Sequence, residues 1–485
     1  MVSMASGPVT SAARSHRPEH GEHGARRRRE HRVGAAIRHP VALWIAFLLV
    51  HVWLGYLCLN APGLPLGDVT LVYKPWALQA QSGMAIVGLD VPWVYPPLAL
   101  IPILLPLLIG QDQYATGWLA LVLILDAVGF AVLTARGGRR VACAACAAWW
   151  WLAFLLLLGP IAVARLDTVS VAIVIVALLW LRSMPRVAAV LLAVATWIKV
   201  WPVAAIAAVF VVSRDRWRML LAVASTSVVI VILGLTFGNG MNVFSFVTQQ
   251  TGRGLQIEAP VSAPWMWAAA LHSPGSFVYY DHALLTFQVA GPNIGFAIAL
   301  MTPLLAAAAV LVLLIGAWAT YRGVPALAVL PPLMLGLVAT LIAFNKVGSP
   351  QYITWFAAPV ILGIVCGGRQ FRTPAILVAI TAALTQVVYP YLYVGLLNAN
   401  VLMVAVLSAR NLMLFAILGW SLWALYRSAR TISRTTASGG DDFDDDSVEH
   451  FGEEAGEEAG DDASTPGATT WPFPASRDGF PRRNP

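Results

Sequence analysis

Long apolar runs are the feature that most constrains how this chain can fold. Candidate spans include residues 41–59, 141–158, 219–236, 294–319 and 401–426, and a helix of such length can cross the roughly 30 Å hydrocarbon core of a bilayer. Apolar and polar residues do not alternate along these runs, which argues against the strands of a membrane barrel. With a mean hydropathy of +0.73 and 11% charged residues, the sequence excludes a soluble globular protein. It predicts an all-α polytopic membrane protein.

Arginine-rich clusters between the spans indicate the topology. They lie at residues 26–32, 136–140, 182–186, 214–218, 367–372 and 426–434. Because such clusters are retained in the cytoplasm, both termini are predicted to be cytoplasmic. Run lengths and this rule together give about 12 transmembrane helices. Two segments do not fit one helix each: 187–213 is predicted to form two short helices that turn near Lys199, and 95–135 to form one crossing and a re-entrant part.

Three regions are predicted along the chain. Residues 1–38 form a disordered basic cytoplasmic tail, 39–428 the transmembrane domain, and 429–485 a disordered cytoplasmic tail that contains the acidic run 441–462. The two tails are expected to be solvated and to lie outside the membrane domain.

Lysine is restricted to three positions, whereas Lys and Arg together number 31. Lys74, Lys199 and Lys346 each stand near aromatic residues and a proline, at a predicted outer boundary of the membrane. One interpretation is that these side chains extend to the outer interface. The other is that they bind an anionic head group such as a lipid phosphate. The sequence leaves both interpretations open.

Acidic residues are also concentrated on the predicted outer side. They are Asp68, Asp90, Asp167, Glu258 and Asp281, whereas Asp126 lies inside an apolar run and must be protonated, partnered or functional there. Asp68 precedes segment 69–81, which is too short to cross and is predicted to be an interfacial helix that begins or kinks at Pro75. A carboxylate at this boundary can accept a proton from a sugar hydroxyl, or it can simply cap the helix.

The loop QQTGRGLQIEAP (249–260) combines Arg253 and Glu258, and Trp265, Trp267 and His272 follow it. Aromatic faces beside polar groups suit sugar binding, since sugar rings stack on tryptophan and hydroxyl groups meet the polar side chains. The alternative is an internal Arg–Glu pair that orders a long loop.

Five segments carry a resemblance to a known family. They are GDVTLVYKPW (67–76), WVYPPLALIPILLPL (93–107), WIKVWPVA (197–204), RGLQIEAP (253–260) and NKVGSPQY (345–352). In their order and in the predicted topology, they resemble the bacterial integral-membrane glycosyltransferases of family 87, in the GT-C superfamily, over about residues 40–426. The resemblance implies a GT-C-like bundle with interfacial helices in the first outer loop.

The resemblance also implies an activity. The donor would be a polyprenyl-phosphate sugar, usually polyprenyl-phosphate-mannose, and the sugar would pass with inversion to a lipid-linked or envelope glycan on the outer face of the plasma membrane, without metal or cofactor. Asp68 occupies the position of the catalytic acid in the first outer loop. Several mannosyltransferase members carry Ser-Pro-x-x-Trp followed by a histidine pair, whereas Ser349–Pro350 here leads into QYITWFAAP.

The predicted site follows from these residues and from the resemblance. Asp68 is the catalytic base; the donor-phosphate ligands are Lys346, Lys199, Lys74, Arg253 and Arg165; the sugar or acceptor ligands are Tyr95, Glu258, Gln256, Trp265, His272, Gln351 and Tyr352. Membrane lipids are expected partners and nucleic acid is not. The alternative function is a secondary transporter or lipid flippase that uses Asp126, Lys199 and Lys346 as intramembrane ions; the absence of a visible repeat between the two halves argues against it.

Overall fold

The computed structural model describes residues 39–135, 141–249, 252–282 and 284–438. The predicted basic tail 1–38 and most of the predicted acidic tail lie outside these residues. The C-terminal helix continues to Ser438, past the predicted start of the tail at residue 429.

The first part of the chain contains two long helices separated by short elements. In order, these are α1 (Pro40–Asn60), a π-helical turn (Val69–Tyr73), α2 (Lys74–Gln81), a 3-10 turn (Pro97–Ala99), α3 (Leu100–Leu104), a second 3-10 turn (Leu105–Leu108) and α4 (Tyr114–Thr134). Pro40 and Pro75 stand in the first turns of α1 and α2, where proline costs no hydrogen bond. The predicted short helix after the first span is thus present, and 95–135 contains one long helix preceded by short turns.

Five helices follow. They are α5 (Val141–Leu158), α6 (Leu166–Trp180, after a 3-10 turn at Gly159–Ala162), α7 (Pro185–Ile198), α8 (Val203–Val212) and α9 (Arg216–Phe237). Helices α7 and α8 turn at residues 199–202, so the predicted pair of short helices in 187–213 is confirmed. Lys199 is placed at this turn because it directly follows the last residue of α7.

A long connection after α9 contains the strands of the described chain. It comprises a 3-10 turn (Gly240–Phe244), α10 (Ser245–Thr248), a 3-10 turn (Pro260–Ser262), α11 (Ala263–Ala270), β1 (Phe277–Asp281) and β2 (Thr286–Ala290). The strands form an antiparallel hairpin in which Phe277 faces Ala290. Residues 255–257 run beside β2, since the Val289 N–H donates to the Leu255 carbonyl oxygen at 3.0 Å.

The last part of the chain returns to long helices. They are α12 (Ile294–Tyr321), α13 (Ala326–Ala343), α14 (Ala357–Gly367, after a 3-10 turn at Pro350–Phe356), α15 (Arg372–Gln386, after a 3-10 turn at Gly368–Phe371), α16 (Tyr393–Leu397, after a π-helical turn at Val387–Tyr391) and α17 (Val401–Ser438).

Among the described residues, eight helical segments are long and apolar enough to cross a membrane, and four shorter apolar helices accompany them. Helices α6, α13 and α14 form the buried centre, whereas α9 and α12 expose most of their apolar side chains. Exposed apolar surface on this scale fits contact with lipid. The prediction of an all-α polytopic membrane protein is confirmed, and the number of about 12 crossings stays a prediction.

Asp126 has a partner inside the bundle. Its carboxylate Oδ2 lies 3.1 Å from Nε2 of His51, and Nδ1 of His51 lies 2.9 Å from the Phe47 carbonyl oxygen. Both side chains of the pair are almost fully buried. Of the three states predicted for Asp126, the structure therefore shows the partnered one, which ties α4 to α1.

Candidate functional site

Asp68 and Arg165 form an ion pair beyond the end of α1. Arg165 Nε lies 3.0 Å from Asp68 Oδ2. The buried guanidinium also donates from Nη1 to the carbonyl oxygens of Pro65 (2.6 Å) and Ala164 (2.8 Å), and from Nη2 to the Tyr389 hydroxyl at 2.8 Å. Two distant segments, at residues 65–68 and at Tyr389, thereby fix Arg165. Asp68 nevertheless keeps 38% of its side chain exposed, so its carboxylate is both held in place and accessible.

Asp167 and Lys199 form a second ion pair, between the start of α6 and the end of α7. Lys199 Nζ lies 3.2 Å from Asp167 Oδ2, and Trp355 Nε1 donates to Asp167 Oδ1 at 2.7 Å. Nζ also lies 4.5 Å from the centre of the Tyr95 ring, a favourable cation–π distance. The Asp167 side chain is fully buried. Both of its oxygen atoms therefore meet groups of the protein.

Aromatic rings stack beside this second pair. The Trp355 ring lies between those of Trp201, at 5.6 Å, and Tyr352, at 4.4 Å. Trp201 Nε1 donates to the Ser170 hydroxyl at 2.9 Å, which anchors the stack to α6. This aromatic stack of Trp201, Trp355 and Tyr352 joins the WIKVWPVA and NKVGSPQY segments and the residues that follow them.

Arg253 and Lys346 lie within electrostatic range of each other. Burial lowers the pKa of Lys346, and the charge of Arg253 lowers it further. Arg253 also interacts electrostatically with Tyr352. The backbone holds Lys346 in place, because the N–H of buried Gln256 donates to its carbonyl oxygen at 3.1 Å. An anion bound between these cations would relieve their repulsion.

Gly348 allows the loop after α13 to pack directly on the Glu258 segment. A Cβ atom at this position would lie 2.2 Å from the backbone nitrogen of Ala259, so only glycine fits. The Glu258 carboxylate faces α17, where its Oε2 lies 3.2 Å from Nη2 of Arg410. Burial raises the pKa of Glu258 to about 7, although Arg410 and a hydrogen bond with Tyr393 act in the opposite direction.

Tyr73 lies within electrostatic range of both ion pairs. Burial raises the pKa of Tyr73 well above its ordinary value, and the nearby Tyr95, Asp68 and Asp167 raise it further. Burial alone would lower the pKa of Arg165, but Asp68 and neighbouring tyrosines raise it above its ordinary value. The segment after α1 and the residues at the start of α6 therefore influence the same tyrosine.

The remaining predicted residues occupy varied positions. Lys74 is half-buried at the start of α2, and His272 is exposed after α11. Trp265 Nε1 donates to the Pro292 carbonyl oxygen at 2.9 Å, which places this indole against the start of α12. Gln351 is buried in the 3-10 turn before α14. The roles assigned to these four residues rest on the sequence alone.

Several residues of the site were not predicted. They are Asp167 as a partner of Lys199, Trp355, Tyr389, Tyr393 and Arg410. A signal existed for Arg410, because it is a charged residue within the apolar run 401–426, where a charge needs a partner. Asp167 was visible as an outer acid two residues after Arg165, but its pairing with Lys199 depends on the tertiary fold.

The site therefore combines three chemical features at one end of the helix bundle: an accessible carboxylate held by an arginine, two adjacent cations and an aromatic stack. These suit proton removal, anion binding and sugar stacking, respectively. Among the described residues, no group of three or more His, Cys, Asp or Glu side chains could hold a metal ion.

Comparison with known proteins gives one family. The sequence model of glycosyltransferase family 87 matches residues 93–342, which is more than half of the chain. No curated protein and no solved structure matches.

Proposed function

The chain belongs to glycosyltransferase family 87, and from this premise we propose that it transfers a hexose, with mannose as the first candidate, from a polyprenyl-phosphate donor to a glycan acceptor. The family makes the chain a membrane glycosyltransferase of the GT-C type. The donor class, the inversion and the residue roles are the proposal. The acceptor would be lipid-linked or part of the cell envelope, and the site would face outwards from the plasma membrane, with both termini in the cytoplasm.

The observation that carries the proposal is the state of Asp68. The carboxylate is oriented by a buried arginine and remains 38% exposed, whereas Asp167 is fully buried between Lys199 and Trp355. A general base must come within hydrogen-bonding distance of the proton that it removes. The exposed and oriented carboxylate of Asp68 supports this role, and we assign it to Asp68.

The reaction is a single displacement. The acceptor hydroxyl oxygen attacks the anomeric carbon as the bond from this carbon to the donor phosphate oxygen breaks, and Asp68 takes the hydroxyl proton. Attack opposite the leaving group inverts the anomeric configuration. The electron pair leaves with the polyprenyl phosphate, whose developing charge requires fixed positive groups.

Arg253 and Lys346 are the proposed phosphate ligands. Their proximity disfavours the charge on Lys346, so binding of the departing phosphate stabilises both cations. Lys199 is already paired with the Asp167 carboxylate. We therefore propose that its main role is to position Tyr95 and the aromatic stack. Tyr95 and Tyr352 then provide ring faces for the transferred sugar.

A reconstituted transfer assay tests the proposal. The purified full-length protein in liposomes is given radiolabelled polyprenyl-phosphate sugars, one sugar at a time, together with an envelope lipid extract, and products are separated and their anomeric configuration is determined. We expect a labelled glycan with the inverted linkage for one donor. The absence of product with every donor, combined with movement of labelled lipid across the bilayer, would instead favour a flippase.

The phosphate assignment has its own test. Arg253→Gln and Lys346→Gln should each raise the KM for the donor by roughly tenfold, or about 1.4 kcal/mol of binding, while the KM for the acceptor stays unchanged. Arg218→Gln is the matched control, because this exposed arginine pairs with Asp215 on the surface at the start of α9. A donor KM that resembles the wild-type value in both site variants would remove these residues from the phosphate site.

A further inference from the structure

A groove lies between α12 and α17, far along both helices from the site described above. It has a volume of about 500 Å³ and is lined by Ile315, Trp318, Leu422, Trp423 and Tyr426. We propose that this groove, together with the arginines beside it, binds one anionic phospholipid. The proposal does not depend on the identity of the donor or of the acceptor.

The walls of the groove are formed by exposed aromatic rings. Trp318 of α12 stacks on Tyr426 of α17 with ring centres 5.8 Å apart, so the two helices are bridged across the groove. Trp423 lies one turn before Tyr426 and exposes 51% of its surface. The lining is almost entirely apolar, which suits an acyl chain and offers little to a free phosphate or a sugar.

Two arginine side chains lie over these aromatic rings. The Arg427 guanidinium lies 5.1 Å from the centre of the Trp423 ring, and that of Arg430 lies 4.9 Å from the Tyr426 ring. Each arginine follows its aromatic partner by four residues, so helical geometry sets both cations on the side of the groove. Arg322 follows the last residue of α12, four residues after Trp318, and adds a third positive charge at the same ends of the two helices.

The combination identifies the ligand class. An apolar groove can hold a hydrocarbon chain. Arginines at its end can donate paired N–H groups to two or more oxygen atoms of a phosphate. Tryptophan and tyrosine favour the level of lipid head groups. A zwitterionic lipid would fill the groove equally well, but its cationic group would oppose the arginines. The charges therefore select an anionic head group.

Native mass spectrometry of the full-length protein tests the proposal. The protein in mild detergent is mixed with phosphatidylglycerol or with phosphatidylcholine of identical acyl chains, and the lipid molecules retained after mild activation are counted. We expect one phosphatidylglycerol to be retained at least fivefold more than phosphatidylcholine. The double variant Arg427→Gln, Arg430→Gln should lose this preference, and Trp423→Ala should lower retention of both lipids.

Arg218→Gln, which removes an exposed arginine at the start of α9, should keep the wild-type preference. Equal retention of both lipids by the wild type, or an unchanged preference in the double variant, would overturn the proposal.

A photoreactive phenylalanine analogue in place of Trp423 identifies the occupant in native membranes. Crosslinking to lipid is the expected result. Crosslinking chiefly to a second copy, or to the acidic run 441–462 of the chain itself, would overturn the proposal in favour of that protein contact.

Discussion

The ion pairs Asp68–Arg165 and Asp167–Lys199 each join an aspartate carboxylate to a basic side chain, at 3.0 and 3.2 Å, yet they differ in which partner is accessible. In the first pair the arginine is buried and the carboxylate is 38% exposed. In the second pair the carboxylate has no exposed surface, and Lys199 retains 13%. Protein contacts thus fix the cation of one pair and the anion of the other.

This difference in exposure gives the two carboxylates different roles. A carboxylate whose oxygen atoms are both engaged, as in Asp167, stabilises the fold and positions Lys199, whereas a partly exposed one can meet a substrate. The presence of an acid in a segment that is predicted to face outwards is therefore insufficient to assign catalysis. The accessibility of the carboxylate distinguishes the two aspartates.

The largest expected effect is on stability, at the second pair. Asp167→Asn leaves the Lys199 charge buried without its counter-charge, which costs about 3–5 kcal/mol for a buried pair. Unfolding in detergent, followed by tryptophan fluorescence, should show this loss. Asp112→Asn, which alters an exposed aspartate, is the control and should leave unfolding unchanged. A stable Asp167→Asn protein that has lost activity would contradict the structural role.

The next effect is on catalysis, at the first pair. Arg165→Lys keeps the charge but cannot reproduce four directed contacts, so we expect kcat to fall by roughly 100-fold, or about 2.7 kcal/mol, with the donor KM unchanged. Tyr389→Phe removes only one of these contacts and should have a much smaller effect. An increase in donor KM without a fall in kcat would instead make Arg165 a phosphate ligand.

The smallest expected effect is on the pH dependence of stability, at a third buried pair, Glu258–Arg410. Burial raises the folded-state pKa of Glu258 from an ordinary 4.5 to about 7, so the folded protein binds more protons than the unfolded chain between these values. Stability from this group is fully present below about pH 4.5 and is lost as the pH rises through about 7. Between pH 5 and pH 7.5 the loss should be about 2 kcal/mol.

Unfolding measured from pH 5 to 7.5 checks this expectation. The wild type and the Asp112→Asn control should both lose stability across the range, whereas Glu258→Gln should show a flatter dependence. A wild-type slope in Glu258→Gln would assign the pH dependence to other groups.

Some features of the fold and the site could be predicted from the sequence, and others could not. The apolar runs and arginine clusters predict the membrane helices, and even the turn between α7 and α8, because these patterns are local. The pairing of charges is not local: Glu258 and Arg410 are distant in the chain, and the loop offered Arg253 as a nearer candidate partner. Asp167 and Lys199 meet only because α6 and α7 are antiparallel neighbours. The sequence singles out Glu258 and Asp167 as candidate site residues. Their exposure and their partners can be identified only from the three-dimensional structure.

The proposed role of Asp68 is to remove the proton of the acceptor hydroxyl. The direct measurement combines donor binding and single-turnover transfer on the same preparation of Asp68→Asn, once the donor has been identified. We expect a donor Kd within about threefold of wild type and a transfer rate lower by at least about 100-fold, within the range that general-base catalysis supplies. A transfer rate within tenfold of wild type at saturating donor would contradict this role.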